Sequence, residues 1–309
     1  MRARIVISEF MDERAVARLK AVHDVLYDPT LVSDSARLLA EAANADVLVV
    51  RNLTQVRGEL LSKLSRCKVV GRLGVGLDNI DVEGCTDKGI QVIPATGANA
   101  LSVAEYVIAS AMLLLRGAYA STQAVANGQW PRSALSNGRE TAGRALGIIG
   151  FGSIGQATAR LAQALGMQVI AFDAVLQPDA PVFAQTGVKF ASLDALVSQS
   201  DVVTLHVPLV ETTRDLFNAA RISAMKKGAV LINTSRGHIV DLAAVAAALR
   251  SGHLGGAAID VFDVEPLRAD LTLQNCPNLL LTPHISGVSA ESNERVSFMI
   301  ADKVLESLK

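Results

Sequence analysis

The stretch ALGIIGFGSIG, residues 145–155, decides the fold of this chain. An apolar run, ALGII, leads into three glycines spaced as G-x-G-x-x-G, which are Gly150, Gly152 and Gly155. A helical pattern, SIGQATARLAQAL, follows at once. A strand that turns through such glycines into a helix is typical of a dinucleotide-binding sheet. The three glycines there allow a tight turn, close backbone approach to a pyrophosphate, and close helix–strand packing.

The residues around this turn indicate which dinucleotide binds. The backbone N–H groups of Ser153 and Ile154, at the start of the helix, are predicted to bind its phosphates. The next strand, QVIAF, ends in Asp173. A carboxylate there can accept hydrogen bonds from an adenosine ribose and repel a 2′-phosphate. Glycine patterns also occur in ordinary turns, so this context, and not the pattern alone, carries the prediction of NAD(H) as cofactor.

Short apolar strands alternate with helical patterns along the whole chain. In residues 1–97 the runs RIVIS, HDVLY, DVLVV, KVVG and IQVI are separated by helical stretches, which predicts parallel β–α units. After a polar excursion, six further runs predict the six strands of a complete dinucleotide-binding sheet: ALGIIG, QVIAFD, VVTLHV, AVLINT, GAAIDV and NLLLTP. The predicted fold class is α/β, with two doubly wound parallel-sheet domains.

Composition and length exclude several classes of protein. The 309 residues suggest roughly two domains. Half of the residues are apolar, 19% are charged and the formal net charge is −1, so we expect a folded chain with no nucleic-acid or membrane partner. The most apolar stretch, residues 103–115, is shorter than the roughly 20 residues of a membrane span. The polar N-terminus favours a cytoplasmic protein. Three widely spaced cysteines and the lack of a ligand motif predict no metal.

Three chemically active side chains follow later strands. Arg236 follows AVLINTS, Glu265 follows AIDVFDV, and His284 follows LLLTP. Each alone has an ordinary explanation, as a solvated, turn or packed residue. Because the carboxyl ends of parallel strands share one edge of a sheet, we expect the three to converge where a nicotinamide would lie. A guanidinium binds a carboxylate through two bonds, and an imidazole oriented by a carboxylate transfers a proton near neutrality. The set predicts interconversion of a 2-hydroxy acid and a 2-oxo acid.

The chain resembles the D-isomer-specific 2-hydroxyacid dehydrogenase family over nearly its whole length. The resemblance is carried by GRLGVGLDNID, GIIGFGSIG, HVPL, LINTSRGHIVD, GAAIDVFDVEPL and TPHISG. It implies that Arg236 binds the substrate carboxylate and that Glu265 pairs with His284, the acid/base. It also implies that the N–H groups of Gly74, Val75 and Gly76 help to bind the substrate carboxylate. Asp260 would contact the nicotinamide amide, and the adenine would be bordered by His206, Val207 and Pro208.

The same resemblance implies the domain boundaries and the assembly. A flavodoxin-like substrate-binding domain would comprise residues 1–97 and 288–309, and a Rossmann NAD-binding domain residues 98–287. The polar excursion around Trp130 would pack on a second subunit, which predicts a homodimer. Trp130 as a local core anchor is the alternative.

Two arginines bear on the choice of substrate. Arg51 in VVRNLTQV and Arg72 in VGRLGVG end strands of the first domain. These stretches resemble phosphoglycerate dehydrogenases, in which an arginine here can meet a distal anion, but RNLTQV replaces their usual RSATKV. The hypothesis is therefore a substrate with a distal anion, either 3-phosphoglycerate or 3-sulfolactate. The alternative for Arg51 is a salt bridge to a neighbour. Since the chain ends at Lys309, we expect no C-terminal regulatory domain.

Two other functions stay open from the sequence. A glyoxylate or hydroxypyruvate reductase needs only the carboxylate anchor. An NAD-sensing protein similar to the family's corepressors would bind NAD and recruit peptides, and the intact triad and the lack of basic tails disfavour it.

Overall fold

The computed structural model describes residues 2–309 and forms two compact units. The first unit comprises the chain up to Asn99 together with Val288–Lys309, and the second comprises Ala100–Gly287. One sheet has five strands and the other seven, and all strand pairs are parallel. The predicted α/β class with two doubly wound parallel sheets is confirmed.

The elements before Asn99 alternate regularly between strand and helix. They are β1 (Arg4–Ile7), α1 (Glu13–Lys20), β2 (Asp24–Tyr27), α2 (Ser35–Ala42), β3 (Val47–Val50), α3 (Gly58–Lys63), β4 (Val69–Arg72), α4 (Val82–Asp87) and β5 (Gln91–Pro94). Asp12, Asp34 and Asp81 begin α1, α2 and α4, because each side chain accepts a hydrogen bond from an N–H group of the first turn.

The first sheet has the order β2-β1-β3-β4-β5, which is the flavodoxin-like order. Helices cover both of its faces, so central strands are apolar throughout: all four residues of β3, VLVV, are buried. The carboxyl ends of β3 and β4 therefore bring the loops after Val50 and Arg72 to one edge of this sheet.

The second unit carries the glycine-rich turn. Its elements are α5 (Ala100–Arg116), α6 (Thr122–Ala126), β6 (Ala145–Ile149), α7 (Ser153–Ala164), β7 (Gln168–Phe172), α8 (Pro181–Thr186), β8 (Lys189–Phe190), α9 (Leu193–Gln199), β9 (Val202–Leu205), α10 (Ala219–Ser223), β10 (Ala229–Asn233), α11 (Leu242–Arg250), β11 (Leu254–Ile259) and β12 (Leu279–Leu281).

The second sheet has the order β12-β11-β10-β9-β6-β7-β8. Counted from β6 this is the Rossmann order 3-2-1-4-5-6 with one more strand at the far edge. The predicted count of six strands is short by one, because β8 has only two residues and pairs at the sheet edge with β7. Such a short run has no periodicity to read in a sequence.

The last helix, α12 (Ala290–Ser307), belongs to the first unit. Ser289 and Ser292 form a reciprocal capping box at its start. Val296, Ile300 and Val304 are buried at a spacing of four residues, which is the repeat of one helix face. That face packs on β4, where a Cβ on Gly71 would lie 2.9 Å from Ile300.

Helix α5 packs on the second sheet, and a Cβ on Gly256 in β11 would lie 2.9 Å from Leu114. Within residues 2–309 no single helix has the length and apolar composition needed to cross a bilayer, although α5 and the bent segment 118–126 together pass that test. The side chain of Trp130, in the excursion after α6, is 77% exposed. Trp130 is therefore not a local core anchor.

Candidate active site

The glycine-rich turn joins β6 to α7 as the sequence predicts, and each glycine has its own physical reason. Gly150 has φ +93°, and a Cβ there would lie 2.3 Å from the carbonyl oxygen of His206. A Cβ on Gly155 would lie 2.3 Å from the carbonyl oxygen of Gly150, so the helix can pack this closely only without a side chain. A Cβ on Gly152 would meet nothing within 4 Å. The turn thus leaves open space at the one glycine predicted to approach a pyrophosphate.

The start of α7 has the properties of an anion site. Gly152 is the N-cap and supplies no side-chain hydrogen bond, so the first-turn N–H groups, including those of Ser153 and Ile154, are not capped by it. Unpaired N–H groups and the positive end of the helix dipole favour phosphate.

Asp173 follows β7 and lies beside this turn. Its Oδ2 accepts a hydrogen bond from Phe151 N at 2.8 Å, and its Oδ1 accepts from Val175 N and Leu176 N at 2.9 and 3.1 Å. An ionised carboxylate has about four acceptor positions, so the backbone bonds fix its orientation and leave capacity for a ribose hydroxyl.

The segment His206–Pro208, predicted to face adenine, follows β9 and borders the glycine-rich turn. Val207 Cγ1 lies 2.9 Å from the Cβ position of Gly150. The Nε2 of His206 is 3.1 Å from Thr204 Oγ1, and its buried Nδ1 has no hydrogen-bond partner among the described residues. Burial lowers the pKa of His206 to about 3, so the ring is neutral at physiological pH. Together, the glycine-rich turn, the start of α7, Asp173 and this segment fit an adenine dinucleotide.

The predicted pair of Glu265 and His284 is formed. The Nδ1 of His284 lies 2.7 Å from Glu265 Oε2, and Glu265 Oε1 accepts a hydrogen bond from Phe262 N at 3.0 Å. Because an ionised carboxylate only accepts hydrogen bonds, Nδ1 carries the proton in this pair and Nε2 is the nitrogen left for a substrate. The His284 side chain is 45% exposed.

A buried hydrogen-bond network positions His284, and no sequence pattern predicts it. Asp260 is fully buried, and its carboxylate accepts hydrogen bonds from Thr282 Oγ1, Ile285 N and Ser286 N at 2.6, 2.8 and 2.9 Å. Tyr106 Oη lies 2.6 Å from Thr282 Oγ1. These bonds hold the loop on both sides of His284, whose φ of +53° few non-glycine residues adopt. Asp260 is predicted to contact a nicotinamide amide; here three of its acceptor positions support the histidine loop.

Arg236 lies in the loop after β10, and hydrogen bonds within that loop hold both its side chain and its backbone. Its Nη1 donates to the carbonyl of Ser235 at 2.5 Å, and its own carbonyl accepts from Asn233 Nδ2 at 2.9 Å. A Cβ on Gly237 would lie 2.2 Å from the backbone of Phe262. The glycine therefore permits close approach between the loop after β10 and the loop that carries Glu265. The sequence predicts close backbone approach at Gly237, and the structure shows that the approaching backbone is that of Phe262.

These loops follow three neighbouring strands. Arg236 comes after β10, Glu265 after β11 and His284 after β12, and β11 pairs with both of the others. The convergence expected from the sequence is therefore present at one sheet edge.

In the first unit, Arg51 follows β3 and makes no salt bridge among the described residues. Its Nη2 donates to Asn293 Oδ1 at 2.7 Å, and its guanidinium carbon lies 5.7 Å from the ring centre of Phe10. The alternative that Arg51 merely pairs with a neighbouring carboxylate is wrong for this structure.

The loop after β4 departs in part from its expected role. Gly74 N already donates to the carbonyl of Arg72 at 2.8 Å, so this N–H is occupied. Arg72 Nη1 donates to the carbonyl of Leu73 at 3.0 Å, and it lies where a Cβ on Gly74 would be. Val75 and Gly76 keep the predicted position directly after this turn.

The described residues contain no group of three or more histidine, cysteine, aspartate or glutamate side chains that could hold a metal ion. Of the three cysteines, Cys67 and Cys85 are buried in the first unit.

Comparison with known proteins identifies the family. The model of the D-isomer specific 2-hydroxyacid dehydrogenase NAD binding domain matches residues 108–286. The chain belongs to this family. It is an NAD-dependent enzyme that interconverts 2-hydroxy acids and 2-oxo acids. Among members of the family, the (S)-sulfolactate dehydrogenase of Chromohalobacter salexigens is 51% identical over 98% of both chains.

Two further relatives and one solved structure share a smaller fraction of identical residues with this chain. The hydroxypyruvate reductase of Thermotoga maritima is 36% identical over 99% of both chains. The D-3-phosphoglycerate dehydrogenase of Methanocaldococcus jannaschii is 35% identical over 99% of this chain and 57% of that protein. Among solved structures, the D-lactate dehydrogenase from Aquifex aeolicus complexed with NAD and lactic acid has a TM-score of 0.85 and 30% identity, over 99% of this chain and 95% of that one.

Proposed function

We propose that this protein oxidises a 2-hydroxy acid that carries a distal sulfonate, 3-sulfolactate, or reduces the corresponding 2-oxo acid. The observation that carries the proposal is Arg51, a guanidinium with no salt bridge among residues 2–309. The 51% identity to a sulfolactate dehydrogenase supports it.

The charge of the substrate favours sulfonate over phosphate. A phosphate monoester carries about −1.5 to −2 charges at neutral pH, whereas a sulfonate carries one. The loop RNLTQV offers one arginine and lacks the lysine of RSATKV. A single guanidinium matches a single negative charge, so we rank 3-phosphoglycerate second.

The stereochemistry agrees with the family. In 3-sulfolactate the carbon that bears sulfur outranks the carboxyl carbon, so the (S) isomer has the same spatial arrangement as D-lactate. We therefore expect the (S) isomer as substrate of this member of a D-specific family.

The roles proposed for the residues follow from their chemistry. Arg236 binds the substrate carboxylate through its planar fork, with Val75 and Gly76 as further N–H donors. His284, oriented by Glu265, takes the hydroxyl proton on Nε2 during oxidation and returns it during reduction. Arg51 binds the distal anion. NAD, when bound, would supply the acceptor for the hydride from the substrate carbon, and its reduced form would supply the hydride in the reverse direction.

The residues proposed to hold NAD are those of the second unit. The glycine-rich turn and the N–H groups of Ser153 and Ile154 would bind the pyrophosphate, and Asp173 the adenosine ribose. His206, Val207 and Pro208 would border the adenine. Asp260 positions the His284 loop through its hydrogen bonds. It also contacts the nicotinamide amide when NAD is bound, as the family resemblance implies.

A substrate panel tests the proposal by NADH absorbance. It contains both 3-sulfolactate enantiomers, 3-phosphoglycerate, D-lactate, D-glycerate, glyoxylate and hydroxypyruvate. We expect kcat/KM for (S)-3-sulfolactate to exceed that for D-lactate by about 10²-fold or more, because a charged pair at a desolvated site contributes about 2–5 kcal/mol. Turnover confined to glyoxylate and hydroxypyruvate would instead assign a small-acid reductase. Tight NADH binding without turnover of any acid would favour the corepressor-like function.

Asp173→Ala is expected to relax the cofactor preference. Loss of the carboxylate removes a repulsion of about 1–3 kcal/mol against a 2′-phosphate. The ratio of kcat/KM with NAD to kcat/KM with NADP should therefore fall about 10- to 100-fold. Asp173→Asn, which keeps an acceptor for the backbone N–H groups, should also lower this ratio. Asp179→Ala, at an exposed carboxylate six residues further along the chain, is the control. An unchanged ratio in both Asp173 variants would remove Asp173 from the cofactor site.

A homodimer and a cytoplasmic location complete the proposal. Three apolar side chains between α5 and the polar excursion or within it, Tyr119, Val125 and Trp130, are 62, 43 and 77% exposed. We propose that these side chains belong to an apolar patch that packs on a second subunit, because large exposed apolar patches mark protein–protein interfaces. Sedimentation as a monomer at micromolar concentration would argue against the dimer. The cytoplasmic location rests on the sequence and stays a prediction.

A further inference from the structure

The guanidinium of Arg51 is oriented by uncharged partners. Of its five N–H donors, one on Nη2 is bonded to the amide oxygen of Asn293 at 2.7 Å. Its guanidinium carbon lies over the ring of Phe10, 5.7 Å from the ring centre, which is within the range of a cation–π contact. Asn293 lies in the first turn of α12, more than 240 residues from Arg51 in sequence.

Glu9, the carboxylate whose charge acts on Arg51, is bonded to the backbone of this loop. Glu9 is 4% exposed, and it accepts hydrogen bonds from the N–H groups of Arg51, Asn52, Leu53 and Thr54 at 2.8, 3.2, 3.0 and 2.9 Å. Asn79 Nδ2 donates to the carbonyls of Arg51 and Thr54 at 3.2 and 2.7 Å. Both the backbone N–H groups and the backbone carbonyls of the loop are therefore hydrogen-bonded. Glu9 forms no salt bridge with the guanidinium of Arg51 within the described residues.

The charge of Arg51 is consequently available to a ligand. Burial lowers the pKa of its guanidinium, and the charge of Glu9 raises it again. An arginine guanidinium is not deprotonated in proteins at ordinary pH, so the group stays charged. A neutral amide can orient a cation without cancelling its charge, whereas a carboxylate at the same position would form an ion pair and compete with an anionic ligand.

We propose that Asn293 is a positioning residue that determines substrate specificity, by orienting the guanidinium of Arg51 toward a distal anion and by being uncharged. Phe10 lies within cation–π distance of the same guanidinium, and Glu9 holds the backbone of the loop that carries it. This inference rests on the proposed function, because it requires that Arg51 bind the distal anion of the substrate.

The experiment compares two substrates that differ only in the sulfonate, (S)-3-sulfolactate and D-lactate, with Asn293→Ala and Asn293→Asp. We expect Asn293→Ala to raise KM for sulfolactate about 10- to 100-fold, the effect of losing a hydrogen bond to a charged group. Asn293→Asp keeps an acceptor of the same size but adds a charge, and we expect at least the same loss. In both variants kcat for sulfolactate should stay within about threefold, and KM for D-lactate within about twofold, of the unchanged protein.

Two further variants separate the possible outcomes. Arg51→Ala should lower kcat/KM for sulfolactate about 100-fold. Asn44→Ala, at an exposed amide in the turn after α2, should leave the kinetics with both substrates unchanged. A loss in Arg51→Ala with unchanged kinetics in both Asn293 variants would overturn this inference and leave the proposed function intact. Unchanged sulfolactate kinetics in Arg51→Ala would overturn both. An equal rise of KM for D-lactate and sulfolactate would mean that Asn293 only stabilises the fold.

Discussion

His284→Asn lowers kcat by about 10³-fold or more while the affinity for NADH stays within about twofold. This is the expected result for a general acid/base, because removal of such a group lowers the rate about 10²–10⁴-fold. The substitution also removes the contact between His284 and Glu265. Asparagine is chosen because it tolerates the left-handed backbone that His284 adopts at φ +53°. His284→Ala should lose as much activity and also strain the loop. Stopped-flow turnover and NADH fluorescence titration measure the two quantities.

The control is another histidine outside the proposed site. His23 accepts a hydrogen bond from Ala3 N through Nδ1 and lies beside β2 in the first unit. His23→Asn should therefore leave kcat unchanged. A His284→Asn protein that folds, binds NADH and keeps more than a tenth of the original kcat would show that another group transfers the proton.

Arg236→Ala is expected to lower kcat/KM for any 2-oxo acid by about 10³-fold. Truncating one partner of a desolvated, hydrogen-bonded charge pair costs about 2–5 kcal/mol, and tenfold in kcat/KM corresponds to about 1.4 kcal/mol. Arg236→Lys keeps the charge but loses the planar fork, so we expect an intermediate loss of about 10²-fold. The loss should extend to D-lactate, unlike that of the Asn293 variants, because every substrate in the panel carries the carboxylate.

Arg214→Ala, at an exposed arginine of the same unit, is the matched control and should have unchanged kinetics. If Arg236→Ala kept kcat/KM within fivefold, the carboxylate would have to be bound elsewhere. In that case Val75 and Gly76 would be the next residues to test.

Much of the fold and of the nucleotide site could be predicted because their signals are local. Three glycines within six residues after a strand set the turn, and Asp173 follows the very next strand. The convergence of Arg236, Glu265 and His284 could also be predicted, because consecutive parallel strands end at the same sheet edge. Local signals fail where an element is very short, as in the two-residue strand β8.

The rest depended on contacts between distant residues. The family resemblance implies that Asp260 contacts the cofactor. In the folded protein its buried carboxylate also accepts three hydrogen bonds from the loop that carries His284. The same resemblance implies that the N–H group of Gly74 donates to the substrate. In the structure this N–H group donates to the carbonyl of Arg72 within its own turn.

The sequence by itself determined the two parallel sheets, the dinucleotide turn and the chemical groups of the reaction, because strand period, glycine spacing and strand order act over short distances. Only the tertiary structure decided which of the charged groups keep their charge for a ligand. Glu9 is bonded to four backbone N–H groups, and Arg51 meets an amide and an aromatic ring instead of a carboxylate. Whether a charge is compensated depends on which distant side chains the packing brings within hydrogen-bond distance, and no local pattern records that.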